Sequence, residues 1–472
     1  MTRRRNRLAC ALAIVGLVAG ASACGDDDDD ATDSTDAPDA TSPPTNPPEE
    51  TTAPTEPPEA TTAPTEAPDE TTAATEPEVT QTINLGVAWA DLSAFVSVNP
   101  AYGTGDPEEQ ALAVLDGWRR DGLLPVNGVD VEFVTAGYSA IDSDQKLAVC
   151  QQFGTEGEIF AVIGGRDFGA GAECLATRFQ IPVIDTNQAP ASVYELTAPY
   201  MFTLKPSDTE ITTAFGNWAV GNGSLDGKKV AIFWESQFAD ATNAFKTILT
   251  DAGVEIVSEL ESGGQGSVGG DQDTLAAQKF AADGADLVVF LVGSSSMVNF
   301  MAAAAEQGYA PEYVDTDWAS HLSDVAAGAY DQEQWAGTKA LASVTAGDLA
   351  TGLNDAAESC LSNYEEFSGV TIERTAPETS GEFTNILITC DLAAVFLEGL
   401  RLATADGGEL TQDSFIAGVE QIQDLRGAYW DTLSFGPDDH TGAATAREIE
   451  WDTACPCWTP TGDWGPLSDY LS

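Results

Sequence analysis

Lys229-Val230-Ala231-Ile232-Phe233-Trp234 and Leu287-Val288-Val289-Phe290-Leu291-Val292 decide the architecture. Each run is short, apolar at nearly every position and rich in β-branched or aromatic residues, which suits a strand buried on both faces. Between them the chain reads as helix from Asp240 to Ala252, strand from Val254 to Leu260 and helix from Asp273 to Ala282. A helix over Asp208–Val220 precedes them, and a helix over Met297–Gln307 and a strand over Tyr313–Asp315 follow. Strands separated by helices of this length need crossover connections, hence a parallel sheet covered on both faces.

The same alternation occupies the preceding stretch. Strands are expected at Ile83–Trp89, Val129–Val134, Ile159–Ile163 and Pro182–Ile184, with helices over Asp142–Phe153 and Gly171–Phe179. Asp106-Pro107-Glu108-Glu109 is a helix start: a capping carboxylate, proline at the first helical position and acid in the first turn. That helix continues through Leu112, Leu115 and Trp118 to Arg120. Two such units in succession predict an α/β protein of two doubly wound parallel-sheet lobes.

Outward from this core, composition changes sharply. Residues 25–79 are mostly Asp, Thr, Pro, Ala and Glu with no aromatic residue and a loose repeat of Thr-Thr-Ala-Pro-Thr-Glu type, so a disordered linker is expected over 24–80. Its reach lies between ~40 Å as a flexible coil and ~170 Å as extended polyproline. The acidic run Asp26–Asp30 lacks the glycine turn and spaced ligands of a calcium loop and reads as solvated spacer. Before it, Arg3, Arg4, Arg5 and Arg7 introduce an apolar stretch from Leu8 to Gly20, of signal-peptide length and too short for a spanning helix. Ala21-Ser22-Ala23-Cys24 resembles the junction at which bacterial lipoproteins are lipidated and cut, so 1–23 is expected to be a lipoprotein signal peptide and Cys24 the lipid anchor. Ordinary secretion with cleavage nearby is the alternative.

Beyond Thr80, 59 acidic residues face 15 basic ones, a net charge of about −44. Such a surface repels phosphate backbones, so nucleic acid is not an expected partner. It suits a salty medium or the attraction of cationic solutes. Six cysteines remain there, as expected of an oxidising compartment. Pairing of neighbours gives Cys150 with Cys174, Cys360 with Cys390 and Cys455 with Cys457, one of 15 connectivities. Closing the first loop is worth about 3 kcal/mol. Cys455-Pro456-Cys457 is awkward for a bridge across one residue, which leaves pairing elsewhere open. The two histidines, His321 and His440, have no ligand-like spacing to these thiols, so no metal site is expected.

Gly264-Gln265-Gly266-Ser267-Val268-Gly269 follows a strand and matches the dinucleotide fingerprint, but the next helix starts late and Asp286 stands at the front of a strand, out of reach of a ribose. Nucleophile-elbow and zinc-protease motifs are absent from the sequence. Neither catalysis nor a cofactor is expected.

Pro199-Tyr200-Met201-Phe202-Thr203-Leu204-Lys205-Pro206-Ser207-Asp208, Gly227-Lys228-Lys229-Val230-Ala231-Ile232, Gly284-Ala285-Asp286-Leu287-Val288-Val289-Phe290 with Gly293 and Asn299-Phe300, and Leu433-Ser434-Phe435-Gly436-Pro437-Asp438-Asp439-His440-Thr441-Gly442 together resemble the type 1 periplasmic-binding-protein family, in particular its branched-chain amino-acid solute receptors of ABC transporters. Cys150 and Cys174 also fall where many members carry a bridge. The resemblance implies three hinge crossings, lobe one from 81–202 plus 337–426 and lobe two from 203–336 plus 427–472. It implies a small-molecule ligand (an amino acid, amide or related solute), an ABC permease as partner and an extracytoplasmic place on the cell membrane. A ligand-sensing subunit of a signalling system is the rival, and a structural surface protein a third reading.

In open parallel sheets ligands lie beyond the carboxyl ends of strands, where helix N-termini expose N–H groups. Those ends nominate Trp89 and Asp91, the loop Arg166-Asp167-Phe168-Gly169, Asn187, Glu235 and Phe238, Ser294, and Asp317 with Trp318. The resemblance puts a ligand carboxylate on the loop after the third strand, where this chain lacks the family's paired hydroxyls; Arg166 and the peptide N–H groups of Gly169–Gly171 remain for it. It puts an amino group on an acid of lobe two: Asp317 first, Asp315 or Glu235 next. Phe168 and Trp318 would stack on an apolar or planar ligand. Structural alternatives stand beside these: Arg166 bridging to Asp167, Trp89 and Trp318 as packing, Glu235 as a helix cap.

Overall fold

The computed structural model describes residues 78–472 apart from 98, 141, 157, 167, 263–270 and 319–320. The signal peptide, Cys24, the linker to residue 77, the Gly264–Gly269 loop and Asp167 therefore lie outside the described residues.

The first sheet is built from β1 (Gln81–Asp91), β2 (Val129–Ser139), β3 (Ile159–Gly164), β4 (Val183–Asp185) and β5 (Met201–Thr203), all parallel, in the order β2-β1-β3-β4-β5. The central strands carry few polar side chains because helices cover both faces: Leu85, Val87, Ala161, Val162 and Val183 are all buried. The Asp106 cap forms as the sequence indicates, its carboxylate accepting the N–H groups of Glu108 and Glu109 at 3.1 Å and starting the helix Pro107–Arg120. The helix expected at Gly171–Phe179 is instead a short α-helix, Ala170–Cys174, running into a wider π turn over Leu175–Phe179 that ends at Gln180 in the left-handed region.

The second sheet contains β6 (Lys229–Glu235), β7 (Glu255–Ser262), β8 (Leu287–Leu291), β9 (Glu312–Thr316) and β10 (Lys339–Ala342), followed, after the two-stranded β11 (Leu425–Arg426) and β12 (Thr432–Leu433), by β13 (Thr445–Asp452), β14 (Cys457–Pro460) and β15 (Gly465–Pro466). Its order is β14-β13-β10-β9-β8-β6-β7, with β13 antiparallel to β10 and β14. The parallel part, β7-β6-β8-β9-β10, repeats the order of the first sheet. β10 corrects the lobe boundary expected at Gly337: Lys339–Ala342 pairs with β9 and β13, so the chain leaves the second sheet only after Ala342. The lone apolar run here gave no sign of which sheet would claim it.

After β10 the chain returns to the first lobe. Helices Asp355–Ser368 and Gly381–Ala403 pack on Pro107–Arg120 and are bridged to each other by Cys360–Cys390. Cys150–Cys174 joins the helix Ser143–Thr155 to Ala170–Cys174. Cys455 and Cys457 bond to each other at the turn from β13 to β14, and not elsewhere. With the other two pairs formed within their own lobe, no further described thiol remains for either. No helix among the described residues is long and apolar enough to cross a membrane.

Candidate functional site

In each sheet the strand order reverses once: between β1 and β3 in the first, between β6 and β8 in the second. Helices following neighbouring strands leave on opposite faces at such a point, which opens a crevice at the carboxyl ends. Trp89 and Asp91 end β1, and Gly165-Arg166 follows β3; Glu235 ends β6, and Gly293-Ser294 follows β8.

On the first lobe, Asp91 is exposed and its carboxylate accepts the Ser93 N–H at 2.9 Å at the start of a short 3-10 turn; hydrogen bonding from the Ser93 side chain, then from this N–H, holds its pKa below the usual range. Trp89 is half-buried and lines, with Arg166 and Asn385, a cavity of about 20 Å³. Arg166 is anchored through its backbone, whose carbonyl accepts the Tyr138 hydroxyl at 2.7 Å. Among the described residues no carboxylate forms an ion pair with its guanidinium, and its Nε is buried without a hydrogen-bond partner. Gly169 lies so close to Asn187 that a Cβ there would come within 2.4 Å of the amide nitrogen. Asn187 in turn accepts hydrogen bonds at its carbonyl from Tyr194 at 2.9 Å and Thr203 at 2.7 Å. Phe168 departs from expectation. It is fully buried against the Tyr138 ring, centroids 5.1 Å apart, and so anchors the loop from beneath with no face left to stack on a ligand.

On the second lobe, the Glu235 side chain makes no helix-capping bond. Its carboxylate accepts Gly293 N–H at 3.0 Å and the Gln237 amide at 2.9 Å, tying the end of β6 to the end of β8. Burial raises its pKa, the Gly293 bond and His321 opposing. Asp315 is buried and accepts from Thr316 N–H at 2.9 Å; its Oδ1 also lies 3.0 Å from His321 Nδ1, while Nε2 of that ring is 2.7 Å from the Val292 carbonyl. Asp317 is 2 % exposed and accepts the Ser343 hydroxyl at 2.8 Å. Trp318 is fully buried, its ring edge-on to the half-buried Phe238 at 4.5 Å, so packing is its role here, as for Phe168. Ser294, also buried, opens the helix Ser294–Glu306.

Three residues that the sequence did not nominate complete the crevice. Tyr429, in the loop between β11 and β12, is buried and lines one cavity with Asp324 of lobe two and Glu378 of lobe one; burial and then the charge of Asp317 push its phenol up, Arg166 opposing and Glu378 adding to the rise. Glu378 is buried, accepts the Thr384 hydroxyl at 2.8 Å, and is pushed up to about 7, chiefly by burial; the Thr384 bonds and Arg166 oppose, and Asp324 adds. Asp324 crosses between lobes: it accepts Trp458 N–H at 2.9 Å on its own side and Glu378 N–H at 3.1 Å on the other. Beside it Val325 and Ala326 pack on Ala101 of the first lobe. The only sequence signal for Tyr429 was an aromatic pair behind Gly427 at the last expected crossing; Glu378 and Asp324 carried none.

Two like sheets, each with one switch point, and a cavity lined from both lobes by Asp324, Glu378 and Tyr429 define a two-lobed ligand-binding protein. Residues 121–456 match the family model described as periplasmic binding protein, and the chain belongs to that family. No curated protein matches it by sequence. Among solved structures it is similar to a branched-chain amino acid ABC transporter protein from Thermus thermophilus with bound valine, at 15 % identity, TM-score 0.64, covering 83 % of this chain and 98 % of that one. It is similar to a solute binding protein of an ABC transporter from Rhodopseudomonas palustris in complex with 3,4-dihydroxybenzoic acid, at 17 % identity, TM-score 0.62, covering 82 % and 98 %. An ABC transporter substrate-binding protein from Desulfitobacterium hafniense in complex with leucine shares 15 % identity, TM-score 0.58, over 80 % and 99 %.

Proposed function

We propose that this protein captures a small organic solute between its lobes outside the cytoplasmic membrane and delivers it to the permease of an ABC transporter. The observation that carries the reading is the meeting of the two lobes beside Tyr429: Asp324 of lobe two accepts the Glu378 N–H of lobe one at 3.1 Å, and Asp324, Glu378 and Tyr429 line one cavity. A ligand touching both lobes stabilises the closed arrangement by its differential affinity for it. The solutes named for the similar proteins, valine, leucine and 3,4-dihydroxybenzoic acid, each carry a carboxylate, which an under-coordinated guanidinium suits. Amino acids, amides and small aromatic acids are therefore the first classes to test.

Arg166, Asp317, Tyr429 and Glu378 would contact the ligand, with Trp89, Asp167, Gly169, Asn187, Glu235, Phe238 and Ser294 around them and Phe168 and Trp318 supporting from the cores. Lipid on Cys24 and a long linker would confine the receptor to a shell above the membrane, raising its effective concentration at the permease. The deciding experiment is a thermal-shift screen of the secreted chain with amino acids, polyamines, amides, urea and aromatic acids. At least one class should raise the melting temperature by several degrees; a flat screen sinks the receptor reading. Radiolabelled palmitate should enter the wild type and not Cys24→Ser.

A further inference from the structure

Asp391 lies midway along the helix Gly381–Ala403 and is buried, 1 % exposed. Its carboxylate receives three consecutive backbone N–H groups: Ala428 at 2.5 Å on Oδ1, and Tyr429 at 2.8 Å and Trp430 at 3.0 Å on Oδ2. Burial pushes its pKa up to about 6, the three N–H bonds opposing. The approach is so close that a Cβ on Gly427 would come within 2.8 Å of Oδ2 and 2.3 Å of the Trp430 carbonyl. The loop is held from the other side as well. Tyr429 carbonyl accepts Thr345 N–H at 2.7 Å, and Asn354 donates to the Gly427 carbonyl at 3.0 Å.

A buried carboxylate balanced by peptide dipoles alone is costly, and apolar packing would hold a short loop more cheaply. What the carboxylate adds is orientation, because three successive N–H groups can converge on one anion in only one backbone conformation. That conformation sets where the Tyr429 side chain stands, in the cavity it lines with Glu378 and Asp324.

We infer that Asp391 is a positioning residue for ligand capture: it fastens the loop 427–431 to the long helix of lobe one, so that Tyr429 joins Arg166 and Glu378 in a half-site formed before any ligand arrives. Asp317 then reaches the ligand on closure. This rests on the reading of the crevice as a ligand site. A site held rigid by buried supports loses little entropy on binding, so its affinity depends on residues that never touch the ligand.

The test uses the full secreted chain with valine, leucine and 3,4-dihydroxybenzoate as probes, read by calorimetry, and amide hydrogen exchange without ligand. Asp391→Asn keeps the shape but turns a donor toward the loop. It should speed exchange of amides 428–430 at least tenfold, leave the β1 and β3 amides unchanged, and weaken the best-binding probe about tenfold. Tyr429→Phe should weaken that probe while exchange at 428–430 stays at the wild-type rate. Their double variant should bind no worse than Asp391→Asn, because the carboxylate acts through the tyrosine. Should Asp391→Asn fail to fold, Gly427→Ala displaces the loop from the other side and should show the same pair of changes. Unchanged exchange, undiminished affinity or additive losses overturn the positioning role alone. A wild type that binds none of the probes overturns the receptor reading, and the positioning role falls with it.

Discussion

The two lips of the crevice are built on the same strand order but finished differently. On the second lobe the acids are already engaged: Glu235 by Gly293 and Gln237, Asp315 by Thr316 and His321, Asp317 by Ser343. On the first lobe Arg166 has a buried Nε with no acceptor among the described residues, and Glu378 is a buried carboxyl pushed up to about 7. The lesson is that one lip is a satisfied frame that offers a single acid, while the other is left wanting an acceptor. Ligand affinity should therefore be unevenly divided between them.

The sharpest way to break that asymmetry is Arg166→Ala. It should weaken the best ligand at least about 100-fold, as for loss of a charge-assisted hydrogen bond of ~3 kcal/mol; calorimetry showing under threefold would reverse the assignment of the dominant lip. Next comes pH. Glu378 is raised from 4.5 to about 7, and Asp185, buried at the end of β4, from 3.8 to about 7. Stability from such groups is complete below their unfolded values and is lost as pH rises through the folded ones. Between pH 5 and pH 8 the protein should lose ~2 kcal/mol or more, and Glu378→Gln should remove part of that slope. A slope unaffected by this variant would mean the first lip carries no protonated acid.

Asp317→Asn should cost about tenfold in affinity, less than Arg166→Ala, because the amide still accepts from Ser343. An equal or larger loss would make the lips equivalent. The smallest effect belongs to the contact away from the ligand. Asp324→Asn weakens the bonds to Trp458 and Glu378 N–H and should weaken the ligand-free contact between the lobes by ~1 kcal/mol, seen as a larger radius of gyration in solution scattering with affinity changed by less than about threefold. An unchanged radius would show that the lobes are held together by the Ala101–Val325–Ala326 contact instead.

Local chemistry made much of this protein readable. β6 and β8 are evident as runs of buried residues, the Asp106-Pro107 start announces its helix, and the two-unit alternation leads to two parallel sheets. The crevice ends were legible too, since carboxyl ends of strands follow from strand order. Which side chains at those ends face the crevice was not. Phe168 and Trp318 stand one or two residues from Arg166 and Asp317, and a single peptide's rotation in an irregular loop separates core from crevice.

The amino-acid sequence by itself determined the alternating strands and helices, because periodicity, caps and turn residues act within a few positions of themselves. Only the tertiary structure decided that β10 joins the second sheet, that Cys455 bonds Cys457, and that Tyr429, Glu378 and Asp324 come together between the lobes. Those contacts span up to hundreds of residues of chain. They exist because two separately folded sheets and their crossings are brought into register, and no local preference encodes that distance.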